Sequence, residues 1–176
     1  MKPNLDAWLE GPAVRTHHRR EAEASPDALW AAAQEIRLAD TGTLGRLVRW
    51  RIPGTPQGMT YHEMFRTYPF TLLEESEHSS ISGLCGRIWT LQRDYPRLEG
   101  ADAFRDWEKR GTVRVAIANW VEPTETGSAL VSEARVKPVD RVAGVRLKAV
   151  WSVVGRFQRF GAEPLTLAVK RAQEGS

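Results

Sequence analysis

The side chains that could hold a metal ion are few in this chain and lie far apart. Its 176 residues include four histidines and one cysteine. His17 and His18 are neighbours, so in a strand their side chains would point to opposite faces and could not share an ion. His62 and His78 have no His, Cys or acidic residue at the spacing of typical zinc ligands. The sequence therefore predicts neither a metal site nor a bound cofactor.

Residues that could act as a catalytic base or nucleophile are equally isolated. His62-Glu63 falls in a predicted loop and could supply a base at the mouth of a cavity, or it could be a surface pair. Cys85 has no neighbouring His or Lys that would lower the pKa of its thiol, so we expect a buried, inert side chain. The sequence contains no Gly-x-Ser-x-Gly motif and no phosphate-binding glycine loop. It therefore predicts no catalytic residue.

Four charged residues are candidates for ligand recognition. Glu133 and Arg135 share one face of a predicted strand, and Arg114 lies on the partner strand. These side chains are solvated if that face is convex, and they would orient a carboxylate or carbonyl of a ligand if it is concave. Arg146 falls within the apolar side of a predicted helix. It either extends from the edge of the core into solvent or places a cation in a pocket wall.

Composition and charge favour one ordinary globular domain. The chain is 41% apolar with a formal net charge of +3, and its basic and acidic residues are largely interspersed, which argues against a nucleic-acid partner. The N-terminus lacks the apolar segment of a signal peptide. The apolar C-terminal segment is interrupted by Arg146 and Lys148, which argues against a membrane span. We therefore expect a cytoplasmic protein with a single domain over residues 1–176, in which residues 1–13 form an N-terminal extension.

Two short helices are predicted after a weakly patterned first strand. The strand corresponds to residues 14–24. Ser25-Pro26-Asp27 then combines a hydroxyl N-cap, a proline at the first helical position and an acidic residue in the first turn, which together predict the start of a helix. Residues 43–50 predict a second helix, and Pro53-Gly54 ends it. Residues 52–66 are predicted to be a loop with apolar side chains, which either covers a cavity or packs into the core.

The central part of the chain has the period of two that is typical of strands. Alternation begins at residue 67 and continues through Phe70 and Leu72. A second stretch covers residues 79–89, where two glycines indicate a bulge or a bend. The segments 112–121 and 128–136 flank turn residues, so we expect them to form a long hairpin.

A helical period begins after Pro138 and continues to residue 172. It predicts one long C-terminal helix with a break near residues 161–164. The apolar positions cover a wide arc of this helix, which we expect to be buried against the sheet. They are Val142, Val145, Ala149, Val153 and Phe160, with Leu147, Val150, Trp151 and Val154 beside them. The fold class is therefore α+β.

Three segments and their order resemble the START-like superfamily, also called SRPBCC or helix-grip. Residues 24–30 (Ala-Ser-Pro-Asp-Ala-Leu-Trp) resemble the entry into the family's first helix. Residues 83–89 resemble a Gly-x-x-Gly-x-x-Trp stretch of bacterial polyketide cyclase-like members, and residues 127–136 resemble the family's hairpin strand. The resemblance covers about residues 14–174. It implies a curved antiparallel sheet of six or seven strands wrapped around the long C-terminal helix, with two short helices after the first strand.

The resemblance also implies a cavity between this helix and the sheet. The expected function is binding or transport of an apolar or amphipathic small molecule, without catalysis. The alternatives are an enzyme of cyclase, aromatase or hydrolase type and a protein-interaction module, and a homodimer is possible in each case. The residues expected to contact the ligand are Phe70, Leu72, Trp89, Val115, Ile117, Asn119, Arg146, Val150, Trp151 and Val154.

Overall fold

The centre of the molecule is one antiparallel sheet of five strands. The computed structural model describes residues 2–90 and 94–175. The strands lie in the order β1-β5-β4-β3-β2, so three of the four neighbouring pairs join strands that are consecutive in the chain, and β5 returns to pair with β1. The strand bounds are β1 Val14–Ala22, β2 Thr71–Ser76, β3 Ser79–Gly86, β4 Val113–Pro123 and β5 Ser128–Pro138.

The number of strands is smaller than the six or seven that the family resemblance implies. The segment predicted to alternate from residue 67 enters the sheet only at Thr71, because a turn precedes it in which Phe70 N–H donates to the carbonyl of Thr67 (2.9 Å). Between β3 and β4, the described residues form a loop and a short helix instead of a further strand. The predicted long hairpin is confirmed as β4 and β5, which pair over eleven positions.

The helices lie mainly before β2 and after β5. In α1 the hydroxyl of Ser25 accepts a hydrogen bond from Ala28 N–H (3.2 Å), as its N-cap position predicts. Three α-helices and a 3-10 turn at residues 38–40 lie between β1 and β2, where two short helices were predicted, and the third helix falls within residues 52–66, which were predicted to be a loop. The helix bounds are α1 Pro26–Gln34, α2 Thr43–Arg51, α3 Tyr61–Met64, α4 Ala101–Arg105, α5 Arg141–Val154 and α6 Glu163–Glu174.

The predicted single C-terminal helix consists of two α-helices joined by a 3-10 segment, residues 155–162. The break therefore begins at Gly155, before the predicted position. α6 packs closely on α1 and β1, and its Leu165, Ala168 and Ala172 are buried there.

Only one side of α5 is buried, whereas the prediction placed the whole apolar arc of this helix against the sheet. Its inner side is formed by Ala143 and Leu147, which are buried. Val142, Val145 and Val153 are 55–69% exposed, so the prediction that the whole arc is buried was wrong. Since a helix can face the sheet with only one side, the apolar residues on its far side have no protein surface to cover them.

The other face of the sheet is also covered. An N-terminal segment, residues 2–13, and α4 pack over it. Leu5, Trp8 and Leu9 from the segment and Phe104 from α4 are buried against Ile81 and its neighbours on this face. The sheet is therefore the middle layer of three, with the cavity described below on one side and a closed core on the other.

Candidate ligand-binding cavity

A cavity of about 790 Å³ lies between the sheet and the helices. Side chains of α1, α2, α3, α5, α6 and the 3-10 segment 155–162 contribute to its roof and walls, while β1, β3, β4 and β5 form its floor. The volume falls within the range of about 300–1,000 Å³ that is usual for sites of drug-sized ligands. Most of its lining is apolar, so the site suits a molecule with a large apolar part.

Strand register arranges the floor of the cavity in rows that run across the sheet. One row is fully apolar, and the next combines Ile117 and Ala134 with the hydroxyls of Ser82 and Thr16. Directly opposed side chains in antiparallel strands have Cβ atoms about 4.5–5.5 Å apart, so each row forms a continuous surface. The apolar row consists of Leu84, Val115, Val136 and Val14.

The third row is polar, and we call it the polar row. It consists of Ser80, Asn119, Ser132 and His18, which are paired in that order from β3 to β1. All four line the cavity, and no hydrogen bond joins any of them to another side chain in the described parts of the chain. Two hydroxyls, an amide and an imidazole therefore stand side by side with donors and acceptors available to a ligand.

His18 lies under the 3-10 segment that follows α5. A Cβ atom added at Gly161 would come within 2.8 Å of its Nε2 atom, so the glycine allows the segment to lie directly on the imidazole. Partial burial lowers the pKa of His18, and the charges of Arg20 and His17 lower it further, while a hydrogen bond to the backbone of Gln158 raises it in part. The imidazole is therefore neutral at pH 7, with one ring nitrogen that donates and one that accepts.

Among the polar groups that line the walls of the cavity are those of Trp89 and His62. The Nε1–H of Trp89 is buried without a hydrogen-bond partner in the described structure. The ring of His62 meets that of Trp30 edge to face, with centroids 6.4 Å apart, and burial followed by the charge of Arg66 lowers the pKa of His62. The predicted base at the cavity mouth thus lines the cavity as a neutral imidazole packed on an aromatic ring.

The charged groups of the lining are basic. No Asp or Glu side chain is among the described residues that line the cavity, whereas Arg51 and Arg66 both are. Arg51 donates to the carbonyl of Ile88 (3.1 Å) and to the Tyr95 hydroxyl, and Arg66 is paired with Glu75. A cation would find no counter-charge here, so the cavity disfavours positively charged ligands.

Eight of the ten residues predicted to contact a ligand line this one cavity: Phe70, Trp89, Val115, Ile117, Asn119, Val150, Trp151 and Val154. Leu72 instead borders an adjoining depression near residues 52–56. Arg146 is exposed on the outside of α5, as the first of its two interpretations expects. Leu72 and Arg146 therefore do not line the cavity.

Glu133 and Arg135 face neither the cavity nor solvent. They lie on the closed face of the sheet, where the Glu133 side chain is fully buried and accepts from Arg15 and Arg135, both at 2.7 Å. Arg135 also donates to Asp6 (2.5 Å) and to the carbonyl of Leu9 (3.1 Å). Both predicted alternatives were wrong because each assumed an uncovered face, whereas the N-terminal segment covers it.

Arg114 of β4 also lies on the closed face of the sheet. Its guanidinium donates to the carbonyl of Arg105 (3.1 Å) and lies over the ring of Phe104, 5.9 Å from the centroid. The residue therefore holds α4 against the sheet and has no part in the cavity.

Cys85 is fully buried on the closed face, and burial raises the pKa of its thiol to about 12. The thiol is therefore protonated and unreactive at neutral pH, as expected from the sequence.

The tertiary fold also brings Asp27, Glu77 and His78 together at the surface, where one ligand atom from each lies within 4.8 Å of the others. His78 is already bonded to Asp27 (2.6 Å), so the contact ties the β2–β3 turn to the start of α1.

No family model and no curated protein matches the chain. Among solved structures, it is similar to protein NE0264 from Nitrosomonas europaea, with 12% identity and a TM-score of 0.46 over 92% of this chain and 96% of that one. Hypothetical protein jhp0584 from Helicobacter pylori gives 7% identity and a TM-score of 0.41, over 96% and 95% of the two chains. Neither name states a ligand or a reaction.

Proposed function

We propose that the protein binds or carries an uncharged amphipathic small molecule in the 790 Å³ cavity. The observation that carries this proposal is the polar row, which crosses a floor that is otherwise mostly apolar. Apolar side chains such as Val115 and Ile117 lie on one side of the row, and Leu130 and Leu165 lie beyond it on the other. A ligand that covers the floor would bury an apolar body and place a polar group over Asn119.

The chemistry of the row defines the polar group of the ligand. Hydroxyl, amide and neutral imidazole groups offer both donors and acceptors, so a hydroxyl or carbonyl can be satisfied in several ways. A ligand without such a group would leave the amide of Asn119 desolvated and unpaired, at a cost of about 1–3 kcal/mol. An ammonium group would be disfavoured further by the two arginines of the lining. The cavity thus fits long-chain alcohols, ketones, sterol-like and polyketide-like compounds.

A catalytic role is the second candidate, and it rests on His18 beside Ser132. These residues are opposed across β1 and β5, and the lowered pKa of His18 leaves an imidazole that can accept a proton. A base at this position would act on a proton next to a carbonyl held by the polar row. We place this second, because the cavity lining supplies no carboxylate to orient the imidazole.

The proposal is tested by displacing the neutral fluorophore N-phenyl-1-naphthylamine with decan-1-ol and with decylammonium. We expect the alcohol to bind at least tenfold more tightly than the ammonium. Asn119→Leu is expected to weaken binding of the alcohol about tenfold, the equivalent of one lost hydrogen bond, whereas Gln57→Leu in an exposed loop should leave it unchanged. Absence of fluorophore binding, or equal affinity for the alcohol and the ammonium, would refute the proposal.

A further inference from the structure

Two elements that border the cavity carry basic residues and no acidic ones. These are α2 and the continuous segment formed by α5 and the 3-10 residues, 141–162. Together they contain eight Arg and Lys residues and no Asp or Glu, which leaves 17 basic and 22 acidic residues in the rest of the chain. The mixture of charges expected from the sequence therefore does not extend to this side of the molecule.

None of these eight basic side chains forms a salt bridge with a carboxylate in the described parts of the chain. Glu163, the first acidic residue after the segment, accepts a hydrogen bond from Leu44 N–H (3.2 Å). Arg46, Arg146 and Lys148 are exposed, so their charges are available to an external partner. The eight are Arg46, Arg49, Arg51, Arg141, Arg146, Lys148, Arg156 and Arg159.

Exposed apolar side chains occupy the same two elements. Six large hydrophobic residues of the described chain are exposed, and five of them lie on α2 and α5: Trp50, Val142, Val145, Val153 and Val154. Val142, Val145 and Val153 recur with Ala149 at helical spacing and form an outward stripe along α5. Arg146 and Lys148 flank this stripe. We call the outward side of α5 together with Trp50 the docking face.

The docking face adjoins the entrance of the cavity. Trp50 and Val154 are 66% and 44% exposed, yet both line the cavity. A surface that covered the docking face would therefore lie directly over the opening through which a ligand enters. In the described structure no helix is both long and apolar enough to cross a membrane.

We propose that the docking face binds the surface of an anionic membrane and that the cavity exchanges its amphipathic ligand there, an inference that rests on the proposed function. Anionic headgroups match arginines and a lysine that form no salt bridge in the described chain, and the valines and Trp50 match the boundary between headgroups and acyl chains. A nucleic acid would satisfy the charges and leave the apolar stripe in water. The face therefore has the composition of an interfacial amphipathic helix beside a ligand entrance.

The test is cosedimentation of the full chain with vesicles of phosphatidylcholine alone and of phosphatidylcholine with 30% phosphatidylglycerol. We expect binding to the anionic vesicles, at least tenfold weaker binding to the neutral ones, and release by 0.5 M NaCl. The double variant Arg146→Glu/Lys148→Glu should bind at least tenfold less. Lys2→Glu/Lys170→Glu makes the same charge change at exposed positions on the N-terminal segment and on α6 and should bind like the wild type.

The double variant Val145→Ser/Val153→Ser tests whether the apolar stripe contributes to vesicle binding, as a membrane partner requires. Both side chains are exposed, so folding should be unaffected, and vesicle binding should fall at least fivefold. If only the charge variant loses binding, the contact is purely electrostatic and the proposal is overturned. It is also overturned if the wild type sediments as a dimer that these substitutions dissociate, since a second copy would then cover the stripe.

Binding of decan-1-ol to the same variants distinguishes this proposal from the function on which it rests. Positions 145, 146, 148 and 153 do not line the cavity, so alcohol binding should be unchanged in all of them. Normal alcohol binding without vesicle binding would overturn the docking face alone. Vesicle binding without alcohol binding would overturn the proposed cavity function and, with it, ligand exchange at the membrane.

Discussion

Replacing Glu133 with alanine is expected to lower the free energy of unfolding by about 3 kcal/mol. The Glu133 carboxylate is fully buried and accepts hydrogen bonds from Arg15 and Arg135. Its removal leaves the guanidinium of Arg135, whose side chain is 8% exposed, with Asp6 as its only carboxylate partner in the described structure. Breaking a buried ion pair from one side costs about 3–5 kcal/mol, and the Asp6 contact sets the value at the lower end. Urea denaturation measures it.

An exposed ion pair serves as the control, because its loss shows how much stability any surface ion pair contributes. Glu174 is paired with Lys170 at 3.8 Å, and both side chains are more than 60% exposed, so Glu174→Ala should cost less than about 1 kcal/mol. The double variant Glu133→Leu/Arg135→Met removes both charges and should be more stable than Glu133→Ala. Equal losses for Glu133→Ala and Glu174→Ala would contradict a buried, coupled pair.

The stabilisation from Glu133 should depend on pH. Burial raises the pKa of this carboxyl, but hydrogen bonds from Arg15 and Arg135 outweigh it and hold the pKa below its usual value. A lowered folded-state pKa means that the stabilisation is complete above the unfolded value of about 4.3 and is lost as the pH falls through the folded value. The difference in stability between the wild type and Glu133→Ala should therefore shrink below about pH 4.

Filling the cavity with Ala134→Trp is expected to weaken binding of decan-1-ol by at least about 100-fold, or roughly 2.7 kcal/mol. Ala134 lies in the middle row of the floor between Ile117 and Thr16. An indole at this position would occupy the space above the floor that the ligand's apolar part requires. Displacement of N-phenyl-1-naphthylamine measures the affinity.

The stability of the Ala134→Trp protein shows whether a loss of affinity for decan-1-ol results from the filled cavity or from unfolding. Because the side chain enters a cavity instead of a packed core, the free energy of unfolding should change by less than about 1 kcal/mol. Ala31→Trp, on the exposed side of α1, is the control and should leave both affinity and stability unchanged. Wild-type affinity in a folded Ala134→Trp protein would place the ligand elsewhere.

Features that depend on local pattern were predictable from the sequence. The hydroxyl, proline and acidic residue at positions 25–27 predicted the start of α1, and the alternation on both sides of the turn before Ser128 predicted the β4–β5 hairpin. Both depend on interactions between residues close in the chain. The strand count came from a resemblance to other proteins, and the structure has fewer strands.

Features that depend on how elements distant in the chain pack against each other were not predictable from the sequence. Helical periodicity groups Val142, Val145 and Val153 on one side of α5 but does not say whether that side faces protein or solvent. The pairing of Glu133 with Arg135 was visible in the sequence, whereas its burial depends on a segment more than 120 residues earlier in the chain. The polar row needed the register of three strand pairs, although Asn119 at an apolar position of β4 was a signal of it.

The central claim is that an amphipathic ligand lies on the cavity floor beside the polar row. The most direct measurement is NMR of the protein with ¹³C-labelled isoleucine methyl groups during titration with decan-1-ol. Ile117 and Ile88 line the cavity, whereas Ile81 is buried on the closed face of the same sheet. We predict intermolecular NOEs from the alcohol to the methyl groups of Ile117 and Ile88 and none to Ile81. Saturable binding without an NOE to Ile117, or no binding at all, would contradict the account.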